Sequence, residues 1–407
     1  MRIAIFHNLP SGGSKRALYG FVKYLKIKNY SMDLFLPETA NEDFLPLKDY
    51  VNKLRIFPVK RSPAGMFKSF CCYLPPLKFS LADIEDAQKK IAQAIEQDDY
   101  EVIYVDQDRF TNSPFLLKFV NKPSVYYCAQ PSRKSEMEIL RKNLFKITNQ
   151  GLFEKLRKCW QAYAGNRLEK IDIENASHAR YLLTNSFFSH ENIMRVYGIN
   201  SYVCYLGVDT EFFKPLDLPK NHFVLSVGEC AFHKGYDFII RALGLIDPRI
   251  RPKFLIVANN VDPAWKSFLY TLAQAHEVEL VVKQNISDHE LLELYNQTKM
   301  IVYAPYLEPF GLVPLEAMAC ATPVVAVKEG GVRESVIHNE TGILTERDEI
   351  HFAEAIRELL GDQKRQSQLG KRGRAWVHSS WTLRHAGERL IAHLNRAVAN
   401  SAPGGTC

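Results

Sequence analysis

Three features that mark common classes of protein are missing from this sequence. No run of about 18 consecutive apolar residues occurs, so no membrane-spanning helix is expected. The eight cysteines include no Cys-x-x-Cys pair, which leaves no zinc-ligand spacing and favours reduced thiols. The first residues, Met1 to Phe6, have a strand-like pattern without the charged-then-apolar layout of a secretory signal. These absences predict a cytoplasmic protein.

Length and composition predict a globular protein with two domains. Hydrophobic residues make up 46% and charged residues 24% of the 407 positions, as in ordinary soluble domains. A chain of this length exceeds the size at which a single hydrophobic core usually stops growing, so a second core is expected.

Much of the net charge of +7 comes from one segment, residues 133–170, which contains ten Lys or Arg and only four Glu. The segment also carries apolar and aromatic residues such as Phe145 and Trp160. It could therefore lie peripherally on the anionic inner face of a membrane. A solvated pair of surface helices is the other interpretation, and it is the more common one for a charge run. No nucleic-acid-binding motif accompanies the basic residues, so no nucleic-acid partner is expected.

Strands alternate with helices in the first half of the chain. A strand at 2–7 is predicted to lead through a loop with Gly12 and Gly13 into a helix at 15–28. Residues 38–80 contain five prolines and are predicted to be irregular. The other predicted strands and helices lie at 32–36, 81–97, 102–105, 124–128, 171–179, 181–184, 187–197 and 203–205.

The alternation stops at 212–221, where two prolines and little periodicity indicate a linker, and then it restarts. Alternation in both halves predicts an α/β protein of two doubly wound, parallel-sheet, Rossmann-like domains. Ligands bind such folds at the carboxyl ends of the strands, which would place the site in a cleft that the two domains face. The predicted domains are 1–214 and 220–380. A helix at 381–400 would complete the first domain, and 401–407 would be a disordered tail.

The stretch 300–334 holds the densest pattern: two apolar strands, each followed by a glycine-containing loop and a helix. Glu308 and Glu316 flank the first loop. If Pro314 is the first helical residue, Glu316 lies in the first turn, where the helix dipole favours its charge. Its oxygens could then accept hydrogen bonds from hydroxyl groups. The pattern predicts a site for a phosphate and a polyol.

The string from Glu308 to Glu316, E-P-F-G-L-V-P-L-E, closely resembles the E-x7-E motif of the retaining glycosyltransferases of family 4, which have the GT-B fold. The resemblance extends from about residue 7 to about residue 340 of this chain. Further landmarks similar to that family are Gly12-Gly13, Asn185-Ser186, Val227-Gly228, Lys234-Gly235 and Glu329-Gly330-Gly331.

The resemblance implies a UDP- or GDP-sugar donor in the C-terminal domain and a glycan, lipid-linked or small-molecule acceptor in the N-terminal domain. It implies hexosyl transfer with retention at the anomeric carbon and without a metal or other cofactor. Glu316 would bind the ribose hydroxyls, Glu308 would face the donor sugar, and Lys234 would neutralise the diphosphate. A cation suits this chemistry because negative charge develops on the leaving diphosphate. The other donor-binding residues implied are Gly12, Gly13, Phe310, Gly311, Leu312 and Gly330.

Two positions depart from the family pattern. Glu229 stands where relatives usually have Arg, which reverses the charge beside the expected phosphates unless its side chain points away. Lys15, Arg16 or Arg333 could supply the missing cation. Ala129 stands where many relatives have a His that contacts the transferred sugar. A second interpretation therefore stays open, a catalytically degraded GT-B accessory protein that serves a partner enzyme, and a nucleotide-sugar epimerase is a third.

Four residues of the first half are candidates for the acceptor side: His7, Asp106, Asp108 and Gln130. His7 ends the first predicted strand, and a hydrogen-bonded structural histidine is an equal alternative. Asp106 and Asp108 end another predicted strand. They also resemble the Asp-x-Asp metal motif of the other large glycosyltransferase fold, but that fold does not match two doubly wound halves.

Overall fold

The computed structural model describes residues 1–60, 80–132 and 152–400. The predicted tail at 401–407 and the part of the basic segment before 152 lie outside these ranges. No helix within the described ranges is long and apolar enough to cross a bilayer.

The chain forms two units. Unit 1 comprises Met1–Cys204 together with the residues from Gly387 onward, and unit 2 comprises Tyr205–Ala386. The division therefore falls before the linker expected at 212–221. The reason is packing, because Phe213 is buried edge-to-face on Tyr295 of unit 2, with ring centroids 5.8 Å apart.

Unit 1 is built on a seven-stranded parallel sheet with the strand order β3-β2-β1-β4-β5-β6-β7. Its strands are β1 (Arg2–Asn8), β2 (Ser31–Pro37), β3 (Lys53–Phe57), β4 (Val102–Asp108), β5 (Ser124–Tyr127), β6 (Tyr181–Thr184) and β7 (Tyr202–Val203). The helices of this unit are α1 (Gly13–Ile27), α2 (Leu81–Gln97), α3 (Leu152–Ser177) and α4 (Phe187–Tyr197), with short 3-10 turns at Lys48–Tyr50 and Phe115–Lys118.

Apolar strand runs explain why this sheet is covered by helices. Phe6, Phe35, Val105 and Tyr126 belong to one buried cluster, as expected for parallel strands that are hidden on both faces. The same arrangement brings the carboxyl ends of β1, β4, β5 and β6 to one edge, where His7, Asp106 and Asp108 lie near the ends of their strands and Gln130 lies in the loop after β5.

Unit 2 has a six-stranded parallel sheet with the strand order β10-β9-β8-β11-β12-β13. Its strands are β8 (Phe223–Val227), β9 (Lys253–Ala258), β10 (Leu280–Gln284), β11 (Met300–Tyr303), β12 (Val324–Val327) and β13 (Ile343–Thr345). Its helices are α5 (Tyr236–Gly244), α6 (Pro263–Ala275), α7 (Asp288–Gln297), α8 (Leu312–Ala319), α9 (Val332–Ser335), α10 (Glu349–Gly361) and α11 (Gln363–Ser380), and α12 (Leu383–Ala399) carries the chain back to unit 1. A 3-10 turn, Phe232–Lys234, follows β8.

The prediction of two doubly wound parallel sheets is confirmed, but some elements differ. The stretch 38–80, predicted to be irregular, contains β3. This strand lies at the edge of the sheet and exposes Leu54 and Ile56, so it lacks the buried apolar pattern of the inner strands. The strand predicted at 102–105 continues to Asp108, which places both candidate aspartates within β4.

Candidate functional site

Glu316 lies in the second turn of α8, not the first. The helix begins at Leu312, so Pro314 is its third residue and Glu316 its fifth. Gly311 precedes it with a left-handed φ of 92°, a backbone conformation that a residue with a Cβ rarely adopts. The prediction that Pro314 opens the helix was wrong because proline is tolerated throughout the first turn, where its missing N–H has no helical partner.

The carboxylate of Glu316 is held in a fixed position by α7. Glu316 is buried, and the hydroxyl of Tyr295 donates a hydrogen bond of 2.6 Å to its Oε2 atom. Tyr295 is itself packed against Phe213. A carboxylate can accept several hydrogen bonds through its two oxygens, so one tyrosine donor does not by itself exhaust its capacity to accept from hydroxyl groups.

Lys234 and Glu308 form an ion pair although 74 residues separate them. The Nζ atom of Lys234 donates to Oε2 of Glu308 over 2.8 Å, and both side chains are about one-fifth exposed. The backbone behind them is tightly packed, since a Cβ on Gly235 would lie 2.0 Å from the carbonyl oxygen of Ala304. The loop after β8 and the loop after β11 are therefore fixed against each other, which brings together two of the predicted donor-site residues.

The double glycine after β12 lies directly behind Glu308. The amide of Gly331 donates to the carbonyl oxygen of Glu308 over 2.8 Å. A Cβ on Gly330 would lie 2.2 Å from that oxygen, and one on Gly331 would lie 2.2 Å from the oxygen of Pro309. This chain's own backbone thus requires both glycines.

Two further predicted donor-site residues have different surroundings. The side chain of Phe310 is buried among Tyr205 and Trp381, with ring centroids 6.1 Å and 5.7 Å away. Any contact of Phe310 with a donor would therefore involve its backbone. Leu312, the first residue of α8, is half-buried.

Glu229, which replaces the expected arginine, has a side chain that is 49% exposed and lies 3.9 Å from the ring of His233. Among the cations considered as substitutes, Lys15 is buried and paired with Glu42 in unit 1. Arg333 instead lies at the double-glycine loop, where its Nε atom donates to the carbonyl oxygen of Gly330 over 3.0 Å. Arg333 thus lies beside Gly330, a predicted donor-binding residue, and Arg16 lies in the first turn of α1 beside Gly12 and Gly13.

In unit 1, Gly12 and Gly13 lie at the start of α1, and a Cβ on either would meet no atom of the described residues within 4 Å. The φ of 140° at Gly12 is a backbone conformation that itself favours glycine. Space in front of a helix N-terminus is a common setting for anions. Packing inside the chain therefore does not account for these two glycines, in contrast to Gly330 and Gly331.

His7 is a buried structural residue. The amide of Leu9 donates to its Nδ1 atom over 3.2 Å, which leaves Nε2 to donate to the carboxylate of Glu42 at 3.2 Å. Lys15 is the cationic partner of that carboxylate. Burial lowers the pKa of His7 to about 4. Of the two interpretations of His7, the structure supports the hydrogen-bonded structural histidine.

The two candidate aspartates of β4 differ in their partners. Asp108 accepts from Asn8 at 2.7 Å and from Gln88 at 2.8 Å, so its carboxylate joins β1, β4 and α2. Asp106 accepts from the hydroxyl of Tyr104 at 3.1 Å, and burial raises its pKa to about 7. Asp108 is thus a structural residue, and Asp106 is a buried carboxyl group that titrates near neutrality. Within the described parts of the chain, no three His, Cys, Asp or Glu side chains are grouped to hold a metal ion.

Gln130 contributes its carbonyl oxygen to a buried network. The side chains of Gln107 and Asn112 donate to it over 2.9 Å and 3.1 Å. Asp172 of α3 extends the network by accepting from the amide of Ser113 at 2.9 Å. These residues fix the loop that contains Ala129. Their roles were not predicted, because each one alone in the sequence resembles a solvated polar residue.

Residues 208–376 match the family model described as "Glycosyl transferases group 1". A human protein, alpha-1,3/1,6-mannosyltransferase ALG2, is 25% identical over 330 residues, which cover 74% of each chain. Sucrose-phosphate synthase from Thermosynechococcus elongatus has a TM-score of 0.72 at 19% identity, covering 98% of this chain and all of that one. Anabaena Alr3699/HepE, solved in complex with UDP-glucose, has a TM-score of 0.71 at 18% identity, covering 97% of this chain and all of that one.

Proposed function

We propose that this chain, which carries a glycosyltransferase group 1 domain within a GT-B fold, transfers a hexosyl group from a nucleotide-sugar to an acceptor. The donor would be a UDP- or GDP-sugar bound by unit 2. The acceptor would be a glycan, a lipid-linked glycan or a small molecule, bound by unit 1. Transfer would proceed with retention and without a metal ion.

The observation that carries the proposal is the arrangement of Lys234, Glu308 and Glu316 around the carboxyl ends of β8 and β11. A nucleotide-sugar presents two kinds of group, a diphosphate and several hydroxyls. Lys234 supplies a cation for the diphosphate, and the two carboxylates supply acceptors for hydroxyl groups of ribose and sugar. One relative is named as a mannosyltransferase and one structural neighbour contains UDP-glucose, which supports a hexosyl donor.

In the proposed reaction, the bond between the anomeric carbon and the phosphate oxygen breaks while a bond to the acceptor oxygen forms on the same face. The acceptor proton passes to an oxygen of the departing diphosphate, so the protein supplies no separate base. The cation of Lys234 stabilises the charge that develops on the diphosphate, which is the role a metal ion plays in other glycosyltransferases.

Calorimetry with UDP and with GDP tests the donor site, and it is followed by turnover with a panel of UDP- and GDP-sugars in the presence of EDTA. Tight binding of one nucleotide and sugar transfer that EDTA leaves unchanged would support the proposal. If neither nucleotide binds, the enzyme proposal fails.

The exposed carboxylate of Glu229 favours a second candidate, an accessory protein that keeps the fold and a nucleotide site without catalysis. Nucleotide binding without transfer or donor hydrolysis would support that candidate. Formation of a new sugar without any acceptor would indicate an epimerase instead.

We also propose peripheral membrane contact through residues 133–170. In the described part of α3, Leu168 and Asp172 are buried, while Arg167 and Lys170 are exposed as a basic surface. Flotation with vesicles tests this idea: binding to anionic but not to neutral vesicles would support it. Equal recovery with both would leave the segment as a solvated surface.

A further inference from the structure

Arg347, two residues after β13, uses its whole guanidinium group to bridge two loops of unit 2. Its Nε and Nη2 atoms donate to the carboxylate of Glu329 over 2.7 Å and 2.8 Å. Nη1 donates to the carbonyl oxygen of Ala304 over 3.0 Å, and Nη2 donates to that of Pro305 over 2.8 Å. A single side chain thus joins the loop after β11 to the loop after β12.

Aromatic rings hold the guanidinium plane in place. The central carbon of the Arg347 guanidinium lies 3.8 Å from the ring centroid of Tyr306 and 5.3 Å from that of Phe238. The side chain is only 17% exposed, so these contacts are protected from water. Stacking and bidentate pairing both depend on the planar fork of arginine, and a lysine cannot reproduce them.

The bridged loops are those that carry the candidate donor-site residues. Ala304 and Pro305 immediately precede the loop of Glu308, and Glu329 immediately precedes Gly330. The third loop, which carries Lys234, is also within reach, because the amide of Tyr306 donates to the carbonyl oxygen of His233 over 2.8 Å. A Cβ on Gly235 would come within 3.4 Å of Nη1 of Arg347.

We propose that Arg347 is a positioning residue that sets the distance between Lys234 and Glu308 for sugar transfer. It touches neither the proposed diphosphate cation nor the proposed sugar-facing carboxylate. It holds the loop that leads to Glu308 through Ala304 and Pro305, and it holds the neighbouring loop after β12 through Glu329. The effect on turnover rests on the proposed function, whereas the effect on loop order does not.

The test compares Arg347→Lys with Glu329→Gln, which leaves the arginine but removes the charge of its partner. Arg251→Lys is the matched control in the same unit. Its guanidinium is also saturated, by the carbonyl oxygens of Gly244, Ile246, His276 and Glu277, but these lie at the ends of α5 and α6. Each variant is examined by amide hydrogen exchange without ligand, by calorimetry with UDP or GDP, and by kcat for donor turnover.

Exchange at the amides of Tyr306, Leu307, Glu308, Phe310 and Gly331 should accelerate by about tenfold or more in Arg347→Lys and in Glu329→Gln, because local opening becomes easier. A displacement of about 1 Å can lower a rate by about 100-fold, so kcat should fall by about 10- to 100-fold while the nucleotide Kd changes by less than about threefold. Arg251→Lys should leave both the loop exchange and kcat unchanged.

Parent-like exchange at these loops in Arg347→Lys overturns the inference, as does a loss of turnover equal to that of Arg251→Lys. A parent that binds no nucleotide, combined with accelerated loop exchange in the two variants, overturns the proposed function but supports the positioning of the loops by Arg347.

Discussion

The ammonium group of Lys234 is neutralised by Glu308, whose carboxylate oxygen lies 2.8 Å from Nζ. Both residues belong to the proposed donor site, so a diphosphate has to exchange with Glu308 as the partner of the lysine. Because the pair is about four-fifths buried, its mutual attraction is less screened by water than that of a surface pair. The carboxylate released from Lys234 becomes available to sugar hydroxyls.

This exchange predicts opposite effects of removing the two partners. Glu308→Gln should leave the Kd for UDP or GDP unchanged or lower it by up to about fivefold, because Lys234 loses its competitor, while kcat falls by about 100-fold. Lys234→Ala should raise that Kd by about tenfold or more. Calorimetry and turnover measure both quantities. Lys253→Ala is the control, since it breaks a 2.7 Å pair with Glu279 at the amino end of β9. Weaker nucleotide binding in Glu308→Gln would contradict the exchange.

Replacement of Glu316 should weaken nucleotide binding, and a variant of Tyr295 serves as the control for its structural effect. Glu316→Ala removes the proposed acceptor of the ribose hydroxyls, and the Kd for UDP or GDP should rise by about tenfold or more. It also leaves the buried hydroxyl of Tyr295 without its 2.6 Å partner, which should lower the free energy of unfolding by about 1–3 kcal/mol. Tyr295→Phe removes the same hydrogen bond but keeps the carboxylate. Tyr295→Phe should therefore weaken binding less than Glu316→Ala does. A parent-like Kd in Glu316→Ala would mean that the carboxylate does not bind the ribose.

Charge reversal at Glu229 should strengthen nucleotide binding. Glu229→Arg replaces an exposed negative charge by the cation expected beside the diphosphate, and the Kd should fall by about three- to tenfold at low ionic strength. Added salt should shrink the gain, because the position is half-exposed and its charge is screened. Calorimetry at about 0.02 M and about 0.3 M salt measures both effects. Glu279→Arg reverses the charge of another exposed glutamate, at the other end of the sheet. It should leave the nucleotide Kd unchanged at both salt concentrations. Equal gains in the two variants would indicate a non-specific charge effect.

The sequence was sufficient to predict the two parallel sheets, and the family resemblance assigned Lys234 and Glu308 to one donor site, but the ion pair between them was not predicted. Apolar strand runs and helical periodicity are local signals, and parallel strands bring their carboxyl ends together whatever the sequence separation. The two glycines at 330 and 331 also predicted the tight loop after β12 correctly. Their reason could not be read locally, since it is the carbonyl oxygens of Glu308 and Pro309, about 20 residues away, that exclude a Cβ.

Contacts between side chains of different loops were not predictable. Arg347 and Glu329 follow two different strands, and their bidentate pairing leaves no periodic or compositional trace. The same is true of Tyr295 and Glu316, which face each other from two helices. Edge strand β3 was missed although Leu54 and Ile56 alternate with basic residues, because the strand is only five residues long and lies in a stretch with five prolines.

The buried carboxyl group of Asp106 predicts a pH dependence of stability with a definite sign. Burial raises its pKa from 3.8 to about 7, so the folded chain binds a proton more tightly than the unfolded chain between these values. The stabilisation that protonated Asp106 contributes is complete below about pH 4 and is lost as the pH rises through 7, with a total loss of about 4 kcal/mol. His7, whose pKa is lowered to about 4, acts in the opposite direction between pH 4 and 6.5, so the parent alone cannot isolate either group.

Asp106→Asn keeps the shape of the side chain but cannot titrate. Denaturant unfolding at pH 5 and pH 8 should therefore show the variant gaining stability relative to the parent at the higher pH. A difference between parent and variant that is constant over this range would mean that Asp106 is already ionised at pH 5.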